Sequence, residues 1–328
     1  MNRSKAFTLV SLPMALGLAW HRHRRTVRAV GDHPMLEPTL PGECREIATS
    51  WGSVTYRWRE GDPDRPALVL VHGWGRTADS TWWPVIATSE RTLAVIDLPG
   101  HGGSRLDQPF TFDLAAEAVN RVIEDAGLVR PVLVAHSMGG PVVFTALRGS
   151  EPGRFAGLVA MATSAYWVRP RLRAILAMAP YVMANGSPVL IHKEHAELRH
   201  APEVAHHIAW AYTQRPLRRL LREAAVALRR FDARSWSDLE LPPTTWVVAG
   251  RDRVLAPGHQ RASARRFGAE VVVLDVEHSM VVQAHRDLLD IIDKVGSGID
   301  AGPPRFSDPG GQPGSVFGVE VQPFSPIS

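Results

Sequence analysis

The heptad Val134-Ala135-His136-Ser137-Met138-Gly139-Gly140 sets one hydroxyl between an apolar run and a pair of glycines. A serine hydroxyl is a poor nucleophile near neutral pH, so chemistry here requires a base to take its proton and a third group to orient that base. The hydroxyl must also stand clear of the backbone. A sharp strand-to-helix turn does this when the residues two before and two after the serine are small, because strand and helix nearly touch there. Ala135 and Gly139 occupy those positions, and the one methyl by which Ala135 exceeds glycine is expected to strain the turn. The run 131–136 reads as a strand leading into the turn, and a helix is expected from Gly140.

Outward from this turn, apolar strand-like runs alternate with helical patterns, the order of a mostly parallel sheet covered by helices on both faces, an α/β fold. Strands are expected at 66–72, 92–97, 131–136, 158–162, 244–249 and 270–276, and a helix at 113–126 with Asp113 at its cap. The alternation stops over 164–238, where helix formers dominate and no strand pattern occurs. This segment reads as a helical cap inserted into a core of 41–163 and 239–295. Within it, Leu217, Leu220, Leu221, Ala224 and Leu228 share one helical face while Arg218, Arg219, Arg222, Arg229 and Arg230 occupy the rest. That pattern fits a core-facing stripe with a solvated arginine face, or a basic cover that draws anionic substrates or lipid headgroups to a pocket.

Two later residues complete the chemistry that Ser137 needs. Asp252 follows the fifth expected strand in Val248-Ala-Gly-Arg-Asp252, and His278 follows the sixth in Val276-Glu-His278. With the elbow around Ser137, the order serine, acid, histidine resembles that of the α/β-hydrolase fold family, over roughly residues 45 to 295. The resemblance implies a catalytic triad of Ser137, Asp252 and His278. It further implies an oxyanion hole from the backbone N–H groups of Trp74, in His72-Gly-Trp74-Gly75, and of Met138. Asp97-Leu-Pro-Gly-His101-Gly-Gly-Ser104 is similar to a family loop that shapes the fold near the site, and is assigned a structural role. Serine at the elbow disfavours the family's dehalogenases and epoxide hydrolases, which carry an aspartate there.

Composition narrows the remaining classes. The lone cysteine, Cys44, excludes an internal disulfide and is expected to be a packed or idle thiol. The net charge of +4 is uneven: residues 1–30 carry +6 and 165–237 carry +7, leaving −9 on the remainder. Such local basicity argues for a contact surface, and no nucleic-acid-binding pattern is present. His192 and His195 have the spacing of a metal-ligand pair, but no carboxylate or cysteine supports them, so no metal is assigned and no cofactor is required. Residues 1–40 are basic and apolar, with an apolar stretch too short to span a bilayer. They read as a disordered or membrane-surface tail, and the arginines after the apolar stretch oppose export, so a cytoplasmic or membrane-associated protein is expected rather than a secreted one. Residues 296–328 read as a disordered Pro/Gly/Ser-rich tail.

The expected activity is two-step hydrolysis of a small-molecule carboxylic ester through an acyl-enzyme on Ser137. Apolar residues of the cap, Tyr166 and Trp167 among them, offer surface for an acyl chain, favouring a lipid-like ester such as a monoacylglycerol. Lactonase, carbon–carbon hydrolase and perhydrolase chemistry stay open, as does a non-catalytic ligand-binding role.

Overall fold

A computed structural model describes residues 37–167, 207, 210, 211, 214 and 216–295. The expected C-terminal tail, residues 1–36 of the N-terminal segment, and most of the expected cap, with His192 and His195, lie outside the described residues.

Among the described residues nine strands form one sheet: β1 Glu43–Thr49, β2 Gly52–Arg59, β3 Leu68–Val71, β4 Leu93–Ile96, β5 Arg105–Leu106, β6 Val132–His136, β7 Gly157–Met161, β8 Thr244–Ala249 and β9 Glu270–Leu274. The order is β1-β2-β4-β3-β6-β7-β8-β9, with β5 paired to β2. From β4 to β9 every pairing along this path is parallel, whereas β1 and β2 form an antiparallel hairpin joined antiparallel to β4. All six expected strands are present, with ends within two residues of expectation. The hairpin and β5 were not expected. β1 is an edge strand with an exposed or half-buried pattern throughout, so it lacks the apolar run that marks the central strands.

The central parallel strands β3, β4, β6 and β7 are buried throughout because each face of the sheet carries helices, whereas the edge strand β9 is exposed or half-buried. Leu68, Leu70, Leu93, Val95, Val132 and Val134 pack on one side with Trp82 and Ile86 of α1 (Ala78–Thr88). Val69, Val71, Ala94, Ile96 and Leu133 pack on the other with Val119 of α2 (Phe112–Asp125) and Val143 of α3 (Gly139–Leu147). The alternation within each strand follows from the pleat, which sends successive side chains to opposite faces.

Two local expectations need correction. The cap of α2 is Thr111, whose side chain accepts the Leu114 N–H at 3.2 Å; Asp113 sits inside the first turn, where its charge favours the helix N-terminus. The helix α4 (Arg218–Arg230) buries Leu220, Leu221, Ala224 and Leu228 as expected, but Leu217 precedes the first turn and is 81% exposed. Cys44 is exposed on β1, which leaves the idle thiol of the two roles expected for it.

Candidate active site

The turn after β6 brings strand and helix into contact. α3 starts at Gly139, one residue earlier than expected, and a Cβ there would fall 2.5 Å from the Val71 carbonyl oxygen. Ser137 takes φ of +54°, in the left-handed region that costs a non-glycine residue about 1–2 kcal/mol. Strain therefore resides at the serine itself. Ala135, where it was expected, lies in regular parallel register with Val71 and Ala160. The turn is held from the neighbouring strand: the Ser137 N–H donates to the Met161 carbonyl at 2.9 Å, and the Thr163 hydroxyl donates to the Ser137 carbonyl at 2.6 Å.

The fold brings Asp252 and His278 to this serine. β6, β8 and β9 run parallel, so their C-terminal ends lie on one rim of the sheet, where binding sites of open α/β sheets form. His278 Nδ1 donates to Asp252 Oδ2 at 2.7 Å. That leaves Nε2 as an acceptor, and it stands 2.9 Å from Ser137 Oγ. Asp252 is buried, which pushes its pKa up, yet the adjacent His278 and the backbone N–H groups of Val254 and Leu255 outweigh burial and hold it below the ordinary carboxylate value. An ionised acid, an imidazole and a hydroxyl thus stand in line, with a path for the serine proton to the ring.

Of the loop expected to supply an oxyanion donor, Gly73 packs against the serine, since a Cβ there would fall 3.1 Å from Ser137 Cβ. Met138 follows Ser137 directly, and neither its amide nor that of Trp74 donates to another described residue. The Trp74 ring is anchored by its Nε1–H to the Leu221 carbonyl of α4 at 3.0 Å, so α4 is tied to the loop that carries this amide. Asp97 keeps the structural role expected of its loop: it accepts the N–H groups of Ala78 and Gly103 at 2.7 and 2.9 Å.

Two contacts at the site were not foreseen. His136 donates from Nε2 to the His278 carbonyl at 2.8 Å, and burial lowers its pKa to about 3, so the ring is neutral. Gln260, on α5 (Pro257–Arg266), donates to Asp252 Oδ2 at 2.9 Å. Neither carries a local signal, because each partner is remote in sequence or set by the turn of a helix.

A groove of about 920 Å³ runs along α4, lined by Arg218, Arg219, Arg222 and Arg230 and by none of the three residues in line. Its cations are partly compensated within the protein, Arg219 by Glu223 at 3.3 Å and Arg148 by Asp238 at 2.6 Å. Among the described residues no helix is long and apolar enough to cross a membrane.

Known proteins share this architecture. The chain is 32% identical over 251 residues to lipase LipV of Mycobacterium tuberculosis, covering 68% of this chain and 90% of that one. It is 28% identical over 167 residues to 2-succinyl-6-hydroxy-2,4-cyclohexadiene-1-carboxylate synthase of Serratia proteamaculans, where it covers 50% of this chain and spans only 54% of the relative's length. A hydrolase from Pseudomonas aeruginosa PA01 superposes with a TM-score of 0.64 at 24% identity, covering 76% of this chain and 97% of that structure, and so shares the fold. The model of the alpha/beta hydrolase family matches residues 68–291, and the chain belongs to that family.

Proposed function

We propose that the protein is a serine hydrolase of carboxylic esters, with Ser137 as nucleophile, His278 as general base and acid, and Asp252 as the group that orients His278. The observation that carries this reading is the unbroken line from Asp252 Oδ2 through His278 to Ser137 Oγ, at 2.7 and 2.9 Å.

In the first step His278 Nε2 takes the Ser137 proton as Oγ attacks the ester carbonyl. The resulting oxyanion faces the amides of Trp74 and Met138, and the alkoxide leaves with the proton now on His278. In the second step the same ring deprotonates water, which attacks the acyl-enzyme and returns serine. Asp252 remains ionised throughout and stabilises the imidazolium formed in each step. No metal or cofactor enters these steps.

The substrate class we favour is a lipid-like ester. Its support is the similarity to a lipase over most of both chains; Tyr166 and Trp167, expected to offer surface for an acyl chain, are instead buried in the core and lend it none. The similarity to a synthase that is not named as an esterase keeps carbon–carbon bond chemistry on the same triad as the second reading.

Hydrolysis of p-nitrophenyl esters from acetate to palmitate, by the wild type and Ser137→Ala in parallel, tests the proposal. The expected result is turnover that falls at least about a thousandfold in the variant, with a preference for the longer chains. Equal rates in the two proteins would refute the assignment of Ser137. A preference for acetate would remove the lipid-like substrate while leaving the esterase.

A further inference from the structure

Asp252 presents no free oxygen. Oδ1 accepts the backbone N–H groups of Val254 and Leu255 at 2.7 and 2.8 Å. Oδ2 accepts two side-chain donors, His278 Nδ1–H at 2.7 Å and Gln260 Nε2–H at 2.9 Å. Gln260 is completely buried, and its amide is used in full: the nitrogen also donates to the Leu255 carbonyl at 2.7 Å, and the oxygen accepts the Ala249 N–H at 3.1 Å. Only one orientation of the amide satisfies these partners. Turned over, its oxygen would face a carboxylate and a carbonyl, and its nitrogen would face an N–H.

We propose that Gln260 is a positioning residue: it locks the Asp252 carboxylate in the rotamer that faces His278 while adding no charge to the oxygen they share. This rests on the reading of Ser137, Asp252 and His278 as the reacting triad. The neutrality matters because Oδ2 is the oxygen that must stabilise the imidazolium. A cationic donor in the place of Gln260 would compete with His278 for that charge, and an anion would repel the carboxylate. Among the described residues, the charged and titratable groups near the pair include Arg76, whose charge acts on His136. His278 faces it from the loop after β9, and His136, neutral through burial, lies behind His278 from the end of β6. Glu277 lies 3.8 Å from Arg253, and His259 on α5 is bonded to the Tyr166 carbonyl at 2.7 Å.

Gln260→Glu separates positioning from mere packing. It keeps the size of the side chain and the acceptor for Ala249, and exchanges the N–H donor for a carboxyl. Buried against Asp252, that carboxyl holds its proton well above the usual carboxylate range and, protonated, still donates to Oδ2, though its single proton gives up the bond to the Leu255 carbonyl. Ionised, it sets a second negative charge against Asp252. The readouts are the rate of Ser137 modification by a fluorophosphonate and kcat/KM for p-nitrophenyl butyrate, each across the pH range in which circular dichroism reports a folded protein.

The expected result is a Gln260→Glu profile within about threefold of wild type at its acidic end that falls at least about tenfold toward alkaline pH, a descending limb that the wild type lacks. A loss of equal size at every pH, or no loss at any pH, would overturn the proposal. If Gln260→Glu does not fold, Gln260→Met provides the second test: a kcat reduced about tenfold with KM within twofold supports positioning, and an unchanged kcat overturns it. Ser137→Ala is measured alongside. Modification of Ser137→Ala at the wild-type rate would overturn the triad reading itself, whereas a Ser137-dependent rate with a pH-flat Gln260→Glu loss overturns only the role of Gln260.

Discussion

His136 and His278 are 142 residues apart in sequence and joined by a 2.8 Å hydrogen bond from the His136 ring to the His278 carbonyl. Because His136 is bonded covalently to Ser137, this contact ties the backbone of the base to the backbone of the nucleophile. His136→Leu is expected to lower kcat about 10- to 100-fold with little change in KM, since misplacing a reacting group by about 1 Å costs on that order. His136→Gln, which can still donate to the carbonyl, should recover most of the loss. Steady-state kinetics of both variants on one ester decide the matter, and equal losses in the two would remove the hydrogen bond as the cause.

Asp252→Asn preserves shape but replaces an acceptor of the His278 N–H with an amide. The ring is then driven to the tautomer that presents an N–H to Ser137, so no base faces the nucleophile. A loss in kcat of about a thousand- to ten-thousandfold is expected, with KM little altered. A variant retaining more than a tenth of wild-type turnover would mean that another acid serves His278.

The positive φ of Ser137 stores strain that glycine does not feel. Ser137→Gly should therefore be more stable than Ser137→Ala by about 1 kcal/mol, although both lose activity. Urea unfolding of the two variants measures the difference, and a more stable alanine variant would show that the turn relaxes when the hydroxyl is removed.

Stability should fall on mild acidification. His72, His101 and His136 are buried, which lowers their pKa from 6.5, to about 4 for His101 and about 3 for His136. Between these values and 6.5 the unfolded chain binds protons that the fold excludes, so each histidine removes stability as the pH drops. Asp97 acts in the opposite sense. Burial raises its pKa to about 6, above the 3.8 of the unfolded chain, so the fold gains stability as Asp97 takes up its proton. His285, whose pKa burial also lowers, adds to the histidine side, so four histidines stand against one aspartate and stability is expected to fall between pH 6 and pH 5. His101→Asn, whose amide can still donate to the Pro99 carbonyl as His101 Nδ1 does, should reduce that slope by about one proton. Urea midpoints at the two pH values for both proteins provide the check, and an unchanged slope would mean that His101 is protonated in the fold.

The central parallel strands were legible because a strand buried on both faces is largely apolar, and the runs ending at Val71, Ile96 and Ala135 are. β1 was not, because an edge strand with a solvated face needs no such run. The elbow was legible for a steric reason: only a residue without a side chain fits at Gly139, against the Val71 carbonyl. Chain order and strand ends pointed to Asp252 and His278, since a parallel sheet delivers all its C-terminal ends to one rim.

Tertiary structure alone decided how those residues are held. Which nitrogen of His278 faces Ser137 depends on the oxygen that Asp252 offers, and that choice depends on Gln260, whose amide has one satisfiable orientation only when Leu255 and Ala249 are in place. His136 stood in the heptad from the start, yet its partner is a carbonyl from the far end of the chain. Residue types and spacing determine which chemical groups reach the rim, because burial and backbone sterics act locally along the chain. Their orientation is determined by hydrogen bonds between distant segments, whose partners exist only once the sheet has formed.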